Sequence, residues 1–375
     1  MKYPRYEYMQ AGVPTVKSKS FFTPDEFVLP KFDYPISPIE NLKRSAKRDK
    51  PLWVPISSTD FQSVQPNDCI LPTEKTKGLT VAADFGRFAK ENWTFRDWFN
   101  TDWTFVISAG GPMLTPGTQL LDDITRWEDV VKFPDLSEWD FDTYADNYMK
   151  NVYDPNKALT LDIGLGCTER LVSIMGGYTD TMLALATEPE ACLAFFERFI
   201  DHEIEQFDRL MEYYPITMLT YHDDWGNEKD TFFSPKMLEA LLFAPTKRFI
   251  SHVKAQDVAF EFHSCGNITR FVPYFIELGV DFMQSQRRAV NFPEVKAQYD
   301  DKIGFGGGIE GLDFGTPTPP REELLQLVRD TVDKMAPKGG FYGGLFITDP
   351  ELLWLATNEL YAYSREFYDR ERGEA

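Results

Sequence analysis

The feature that most constrains the fold of this chain is a regular alternation of short apolar runs with segments of helical spacing. About eight apolar runs of strand length each precede a helical segment. Strands that alternate with helices form parallel sheets, and the simplest closed arrangement of such units is a barrel. We therefore expect an α/β protein with a single (β/α)8 TIM barrel. The predicted strands are 52–56, 104–109, 158–165, 216–221, 258–262, 280–285, 302–306 and 341–346.

An N-terminal extension is expected to precede this barrel. Residues 1–49 are rich in proline, lysine and aromatic residues, and they show no clear periodicity apart from one short helix near 38–47. We predict that 1–49 is an arm and that 50–375 is the barrel. The arm could cover the pocket or bind a second subunit, which would make the protein a homodimer.

Polar residues follow four consecutive predicted strands, and this favours a closed barrel over an open, doubly wound sheet. In a barrel the carboxyl ends of all strands lie at one rim, where such enzymes place their active sites. An open sheet gives no reason for polar groups to gather after so many strands. The polar segments are His222-Asp223-Asp224, His263-Ser264-Cys265-Gly266, Gln284-Ser285-Gln286-Arg287 and Gly307-Gly308-Ile309-Glu310.

The charge balance excludes two classes of partner. The chain has 59 acidic and 39 basic residues, and its formal charge of −20 repels nucleic acid phosphates and anionic lipid. No window approaches the roughly 20 apolar residues of a membrane span, and the N-terminus has no apolar leader segment. The four cysteines are scattered, which is typical of reduced thiols rather than of a disulfide framework. We expect a cytoplasmic protein with neither nucleic acid nor membrane partners.

The segment His263-Ser264-Cys265 is predicted to bind a metal ion. Residues i and i+2 of an extended segment point to the same side, so His263 and Cys265 offer one nitrogen and one sulfur to a single Zn²⁺. Binding would require a neutral His263 and would fix Cys265 as a thiolate. The alternative is a half-buried thiol beside a hydrogen-bonded histidine.

A catalytic zinc site usually has three protein ligands, and the third is not evident from the sequence. No cysteine follows Cys265, so the third ligand must be an oxygen or another histidine. Glu310 ranks first because the glycines before it, 306–308, leave room for its side chain. The other candidates are Asp224, Asp223, Glu169, His222 and Gln286.

Three further residues are predicted to act in catalysis: Asp224, Glu169 and Gln286. Asp224 forms a carboxylate pair with Asp223 that could orient a metal ligand, bind a cationic group or transfer a proton, or that could simply cap a helix. Glu169 either reaches the same cavity or favours a helix N-terminus. Gln286 precedes two arginines that could bind an anionic group or form surface ion pairs.

From about residue 51 to residue 368 the chain resembles the uroporphyrinogen decarboxylase superfamily. The resemblance rests on KPLWVP, GCTERLVSIMGG, YHDDWG, FHSCGNITRFVPYFIELGVDFMQSQ, GFGGGIEG and GGFYGG. FHSCGNI is similar to the corrinoid-linked methyltransferase branch, which implies a (β/α)8 barrel with a His-x-Cys pair on zinc. The decarboxylase branch has an Arg-Gln-Ala-Gly-Arg run after the first strand, and here Ile56-Ser57-Ser58-Thr59-Asp60 takes its place. Porphyrinogen decarboxylation is therefore not expected.

The chain departs from the coenzyme M methyltransferases of this branch at the last strand. Those enzymes have a further zinc cysteine there, whereas this chain has Leu345-Phe346-Ile347. A zinc ion with fewer thiolate ligands is more electrophilic, which suits polarisation of an ether oxygen.

The resemblance thus implies the substrate-side methyltransferase of an anaerobic O-demethylase. It would move a methyl group from an aromatic methyl ether, a small-molecule donor, to Co(I) of a separate corrinoid protein. The many aromatic residues would line a pocket for the aryl ring. Three alternatives remain: a thiol or folate methyltransferase, a uroporphyrinogen decarboxylase-like lyase, and a non-catalytic member of the fold that binds a ligand.

Overall fold

The structure, a computed structural model, describes residues 2–19, 26–64, 91–109, 111–299, 302–309, 311–312 and 316–374. Its strands are β1 (Thr15–Lys19), β2 (Glu26–Pro30), β3 (Phe61–Val64), β4 (Trp93–Arg96), β5 (Asp102–Val106), β6 (Gly111–Leu114), β7 (Ala158–Ile163), β8 (Ile216–His222), β9 (Ala259–His263), β10 (Phe282–Gln284), β11 (Gly304–Gly308) and β12 (Phe341–Gly344).

The helices alternate with these strands in the second half of the chain. They are α1 (Pro38–Lys47), α2 (Ser57–Asp60), α3 (Trp127–Val130), α4 (Phe141–Asn151), α5 (Cys167–Met175), α6 (Tyr178–Thr187), α7 (Pro189–Met211), α8 (Pro235–Met237), α9 (Phe243–Lys254), α10 (Val272–Leu278), α11 (Phe292–Tyr299), α12 (Arg321–Met335) and α13 (Pro350–Arg372). A π-helical turn, Leu238–Leu242, joins α8 to α9.

A seven-stranded sheet has the order β12-β11-β10-β9-β8-β7-β3. The pairs β8–β9, β10–β11 and β11–β12 are parallel. From β7 onward each of these strands is followed by at least one helix, as sequential parallel strands require. The predicted α/β class with a parallel sheet is confirmed, and closure into an eight-stranded barrel stays a prediction.

The predicted barrel strand 104–109 was wrong. The segment 104–109 was expected in the parallel sheet, but β5 pairs antiparallel with β4 and β6 in a separate three-stranded sheet. Its residues alternate between half-buried and buried, whereas β8 is almost wholly buried. Such alternation is typical of an antiparallel sheet with one solvated face. The parallel sheet instead contains β3, whose sequence FQSV lacks the apolar run that would have predicted a strand.

The predicted first strand, 52–56, is buried but is not a regular strand. Trp53, Val54 and Ile56 are fully buried, and a single parallel bridge joins Ile56 to Gly343 of β12. Pro55 interrupts the ladder because it has no backbone N–H, although its carbonyl accepts a hydrogen bond of 2.8 Å from the Gly343 N–H.

The chain divides into two compact units. The first unit comprises Met1–Gln62, Asp154–Leu159 and Val280–Ala375, and the second unit comprises Ser63–Tyr153 and Thr160–Gly279. In the first unit the N-terminal arm lies against α13. The Tyr3 hydroxyl donates to Asp369 at 2.7 Å, and Arg5 pairs with Glu359 and Glu366. The proposed roles of the arm, covering a pocket or binding a second subunit, stay predictions.

In the second unit, β8 and β9 have one face against helices and one face turned away from them. Tyr221 and Phe260 pack against Phe249 of α9, and Phe262 packs against Phe275 of α10. Successive strand residues point to opposite faces, so their neighbours lie on the other side. The side chains on that other side are Thr220, His222, Glu261 and His263.

Candidate metal centre

The strand ends of β8 and β9 place two imidazole rings side by side. His222 and His263 occupy the same register in the two parallel strands, and their ring centroids are 4.6 Å apart. Burial, with a smaller contribution from His263, lowers the pKa of His222 well below its usual range. Cys265 follows on the same side of the chain, and its Sγ lies 3.6 Å from Nε2 of His263. His263 and Cys265 therefore lie close together, as their spacing predicted.

Asp224, from the loop after β8, completes a group of three potential ligands. Its Oδ1 lies 4.0 Å from Nε2 of His263 and accepts a hydrogen bond of 2.6 Å from the Cys265 backbone N–H. The ligand atoms of Asp224, His263 and Cys265 all lie within 4.8 Å of one another, and all three residues are half-buried.

This donor set fits a zinc ion. Tetrahedral zinc with bonds of about 2.0–2.3 Å separates its ligand atoms by about 3.5 Å. The sulfur–nitrogen distance of 3.6 Å is close to that value, and the nitrogen–oxygen distance of 4.0 Å is slightly larger. One sulfur, one nitrogen and one oxygen leave a fourth position for a substrate atom.

Backbone contacts fix the two loops that carry these groups. Gly266 has a φ of +80°, and a Cβ at this position would lie 2.5 Å from the backbone of Asn227. The Asn267 N–H donates to the Asn227 carbonyl at 2.7 Å, and the Trp225 N–H donates to the Ser264 hydroxyl at 2.9 Å. The glycine after Cys265 is therefore required for close approach of the loops.

Two further predicted site residues are not tested by this geometry. Glu310, ranked first as third ligand, lies outside the residues that the structure describes, so that role stays a prediction. Gln286 belongs to the first unit, where its carbonyl accepts hydrogen bonds from the N–H groups of Ala289 and Val290 in the loop after β10. Its catalytic role is likewise still a prediction.

Asp223 is a buried helix cap rather than a free carboxylate. Its oxygens accept hydrogen bonds from the N–H groups of Glu169 and Thr168, at 2.9 and 3.2 Å, and from the Trp225 indole at 2.8 Å. The two backbone N–H groups belong to the first turn of α5, where a carboxylate is favourable. Burial raises the pKa of Asp223 to about 6. Asp223 therefore caps a helix, which was the alternative to a catalytic role. The capped helix is α5, which comes before Asp223 in the chain.

Glu169 lies at the start of α5 and is hydrogen bonded to a residue that sequence reasoning missed. The Tyr178 hydroxyl donates to Oε1 of Glu169 at 2.5 Å. Burial, followed by the charge of Asp224, raises the pKa of Glu169 to about 8. Glu169 therefore carries a proton at neutral pH. The Gly176-Gly177 pair after α5 could have predicted this contact. Two glycines at the end of a helix indicate that the chain can reverse there, which brings Tyr178 back against α5.

Asp162 is a second residue that sequence reasoning missed. It lies on β7 beside Thr220 of β8, whose hydroxyl donates a hydrogen bond of 2.9 Å to Oε2 of Glu261 on β9. Burial raises the pKa of Asp162 to about 7. The signal was the presence of one carboxylate in each of two largely apolar strands, ALTLDI and AFEFH.

The profile of the family described as Uroporphyrinogen decarboxylase (URO-D) matches residues 156–343, which is half of the chain. This segment contains the candidate metal centre, Glu169 and Asp162. The chain belongs to the uroporphyrinogen decarboxylase family. Comparison with curated protein sequences finds no match.

Comparison with solved structures finds matches at low sequence identity. A methyltransferase from Methanosarcina mazei has 12% identity and a TM-score of 0.49, and the match covers 69% of this chain and 73% of that one. L-ribulose 3-epimerase has 12% identity and a TM-score of 0.36, over 64% and 84%. An endo-beta-1,4-mannanase double mutant from Cellulomonas fimi has 13% identity and a TM-score of 0.40, over 87% and 75%. At these values the likenesses carry no information about activity.

Among the described residues, no helix combines the length and the apolar character needed to cross a membrane.

Proposed function

We propose that this member of the uroporphyrinogen decarboxylase family is a zinc-dependent methyltransferase. It would move a methyl group from an aromatic methyl ether to Co(I) of a separate corrinoid protein in the cytoplasm. The observation that supports this proposal most directly is the convergence of Asp224, His263 and Cys265, whose ligand atoms lie within 4.8 Å of one another. The similarity of FHSCGNI to the corrinoid-linked branch supports the choice of reaction.

The types of ligand favour an oxygen-containing substrate. A single thiolate with an imidazole and a carboxylate withdraws less positive charge from zinc than two or three thiolates would. The metal would supply Lewis acidity toward the ether oxygen. The hydrogen bond from the Cys265 N–H orients Asp224, as hydrogen bonds to ligating carboxylates commonly do.

Cleavage of a methyl ether also requires a proton for the departing oxygen. Without a bound metal ion, burial raises the pKa of Glu169 to about 8, and Asp224 makes the largest charge contribution to this pKa. Glu169 is thus the group we propose as proton donor, with the partly exposed Tyr178 connecting it to solvent. Gln286 as a catalytic residue, and Glu310 as an alternative third ligand, remain part of the proposal.

Metal analysis of purified variants tests the first step. Wild-type protein is expected to contain about one zinc per chain, and His263→Ala and Cys265→Ala are expected to lose at least nine-tenths of it. His252→Ala is the matched control, because His252 pairs with Asp208 on the surface of the same unit. Equal zinc contents in all four proteins would contradict the assigned ligands.

The reaction is tested by incubation with methoxylated aromatic compounds and a reduced corrinoid protein, with methylcobalamin formation followed by absorbance. We expect methylation from the ethers that is lost with the zinc. Methylation from thioethers or amines alone would favour the thiol or folate methyltransferase. Metal-free protein without any methylation would favour the lyase or the non-catalytic alternative.

A further inference from the structure

The imidazole ring of His222, the last residue of β8, forms no hydrogen bond with any described residue. It lies against the ring of His263, with centroids 4.6 Å apart and an interplanar angle of 40°. Both ring nitrogens of His222 keep accessible surface, since neither is among the buried polar atoms of the described residues that lack a partner. The core residue His202 differs, because its Nε2 is buried without a partner among the rings of Phe99 and Phe133. The ring of His222 can therefore bind a ligand.

His222 also lies next to the candidate metal centre. Asp224 and Cys265 approach His263 from the loops that follow β8 and β9. His222 contacts the same ring from the end of β8. A ligand atom at the fourth position of a tetrahedral zinc ion would lie about 3.5 Å from the His263 nitrogen, which is within the distance between the two rings. The side chains of His263 and Asp224 are 21% and 25% exposed, so a ligand can reach both the centre and His222.

The hydrogen-bonding character of this ring suits the oxygen of a departing group. An imidazole carries at least one N–H in either protonation state, so His222 can donate a hydrogen bond whether or not it is charged. When a methyl–oxygen bond breaks, its electron pair stays on the oxygen and negative charge develops there. A donor aimed at that oxygen stabilises the transition state more than the bound ether. As metal ligands, the side chains of Asp224 and Cys265 would be ionised and could only accept hydrogen bonds.

We propose that the His222 ring donates a hydrogen bond to the oxygen that the methyl group leaves, and so holds the phenolate product at the metal centre. His222 is then a catalytic residue, because its N–H touches a reacting atom. Glu169 remains the source of the proton. This inference rests on the proposed function, since it assumes that an aryl methyl ether binds with its oxygen at the metal centre.

The ionisation of bound 4-nitrophenol tests this role without turnover, because its phenolate absorbs at longer wavelength than the phenol. In the zinc-containing wild type, bound 4-nitrophenol is expected to ionise at a pH at least about one unit lower than in His222→Phe, which is tenfold in the ionisation constant. His222→Ala gives the same comparison if the phenylalanine variant does not fold. At least one of His222→Asn and His222→Gln, whose amides place an N–H near Nδ1 and Nε2 respectively, should recover about half of this shift.

Three controls distinguish a hydrogen bond from a structural role. Nitrobenzene has no phenolic oxygen, so its dissociation constant should differ by less than about twofold between wild type and His222→Phe, since no hydrogen bond to it is lost. His252→Phe changes a surface histidine of the same unit and should leave the ionisation pH unchanged. The zinc content of the His222 variants should equal that of the wild type, because His222 is a donor to the substrate and not a metal ligand.

An unchanged ionisation pH in His222→Phe and His222→Ala would overturn the inference. Loss of zinc from these variants would also overturn it, because His222 would then be a ligand. Equal weakening of 4-nitrophenol and nitrobenzene binding would assign His222 a packing role instead. If aryl ethers bind and react while His222 has no effect on the bound phenol, only the inference fails. If the zinc-containing protein binds neither phenols nor aryl ethers, the proposed function fails with it.

Discussion

Two regions of the second unit contain buried carboxyl groups, and their surroundings differ. Asp97 lies between the three-stranded sheet and α5. It accepts hydrogen bonds from the N–H groups of Phe99 and Thr101, from the Thr101 hydroxyl, from the Trp103 indole and from Arg170 at 2.6 Å. All of its acceptor sites are used, and Asp97 and Arg170 are 0% and 1% exposed. This carboxylate has no capacity for a ligand.

Among the described residues, two carboxyl groups near the candidate metal centre, Asp224 and Glu169, accept fewer hydrogen bonds than Asp97. Asp224 accepts a hydrogen bond from the Cys265 N–H, and Glu169 accepts one from the Tyr178 hydroxyl. This difference indicates how to distinguish the two kinds of carboxylate. A structural carboxylate accepts hydrogen bonds at all of its acceptor sites, whereas one available for binding or proton transfer does not. Consecutive residues of α5, Glu169 and Arg170, belong to the two different regions, because successive helical residues point about 100° apart.

The largest expected effect is the loss of stability when the saturated region is broken. Arg170→Met leaves Asp97 buried without its cation, which should lower the free energy of unfolding by about 3–5 kcal/mol. Chemical denaturation measures it. Arg126→Met, which removes an exposed pair with Asp122, is the control and should cost less than about 1 kcal/mol. If Arg170→Met lowers the free energy of unfolding as little as the control does, the surroundings of Asp97 do not stabilise the protein in the way described.

The second expected effect concerns the loops of the candidate metal centre, which depend on backbone contact rather than on an ion pair. Gly266→Ala adds a Cβ 2.5 Å from the Asn227 backbone at a positive φ, and it should cost about 1–3 kcal/mol and weaken zinc binding. Gly117→Ala is the matched control, since its φ is +80° and a Cβ there would have nothing within 4 Å. Equal losses of stability and zinc in both variants would show that the loop contact is unimportant.

The third effect is a dependence of stability on pH that originates from Glu169. Its folded-state pKa of about 8 exceeds the unfolded value of 4.5, so the unfolded state releases its proton first. The contribution of Glu169 to the free energy of unfolding should be greatest below pH 4.5, decrease as pH rises from 4.5 to about 8, and then level off. The slope is at most about 1.4 kcal/mol per pH unit. Denaturation of zinc-free protein should show this decrease, and Glu169→Gln should flatten it. A parallel curve for the variant would assign the dependence to other groups.

The smallest effect is expected from Tyr178→Phe. The Tyr178 hydroxyl lowers the pKa of Glu169 by donating to its carboxylate, so its removal should move the upper end of the pH window to higher pH. Stability at neutral pH should change by less than about 1 kcal/mol because Tyr178 is 37% exposed. The carboxyl band of protonated Glu169 in infrared difference spectra gives its midpoint. A downward shift of that midpoint would be incompatible with the hydrogen bond as described.

Local patterns were sufficient to predict much of this molecule. The alternation of apolar and amphipathic segments predicted the α/β class and the parallel sheet, and the spacing of His263 and Cys265 predicted their proximity. These features depend on residues that are close in sequence, and the periods of strands and helices act over that range. The 104–109 segment was misassigned for the same reason, since an apolar strand does not reveal by itself which sheet it joins.

Local patterns were thus enough to predict the fold class and the nitrogen–sulfur pair, whereas contacts between distant segments placed the carboxyl groups around that pair. Asp224 approaches it because β8 and β9 align His222 with His263, and Asp162 meets Thr220 and Glu261 across three strands. Strand register and loop approach arise from contacts between distant segments. A one-residue change of register would turn every one of these side chains to the opposite face, so no local pattern could have fixed their positions.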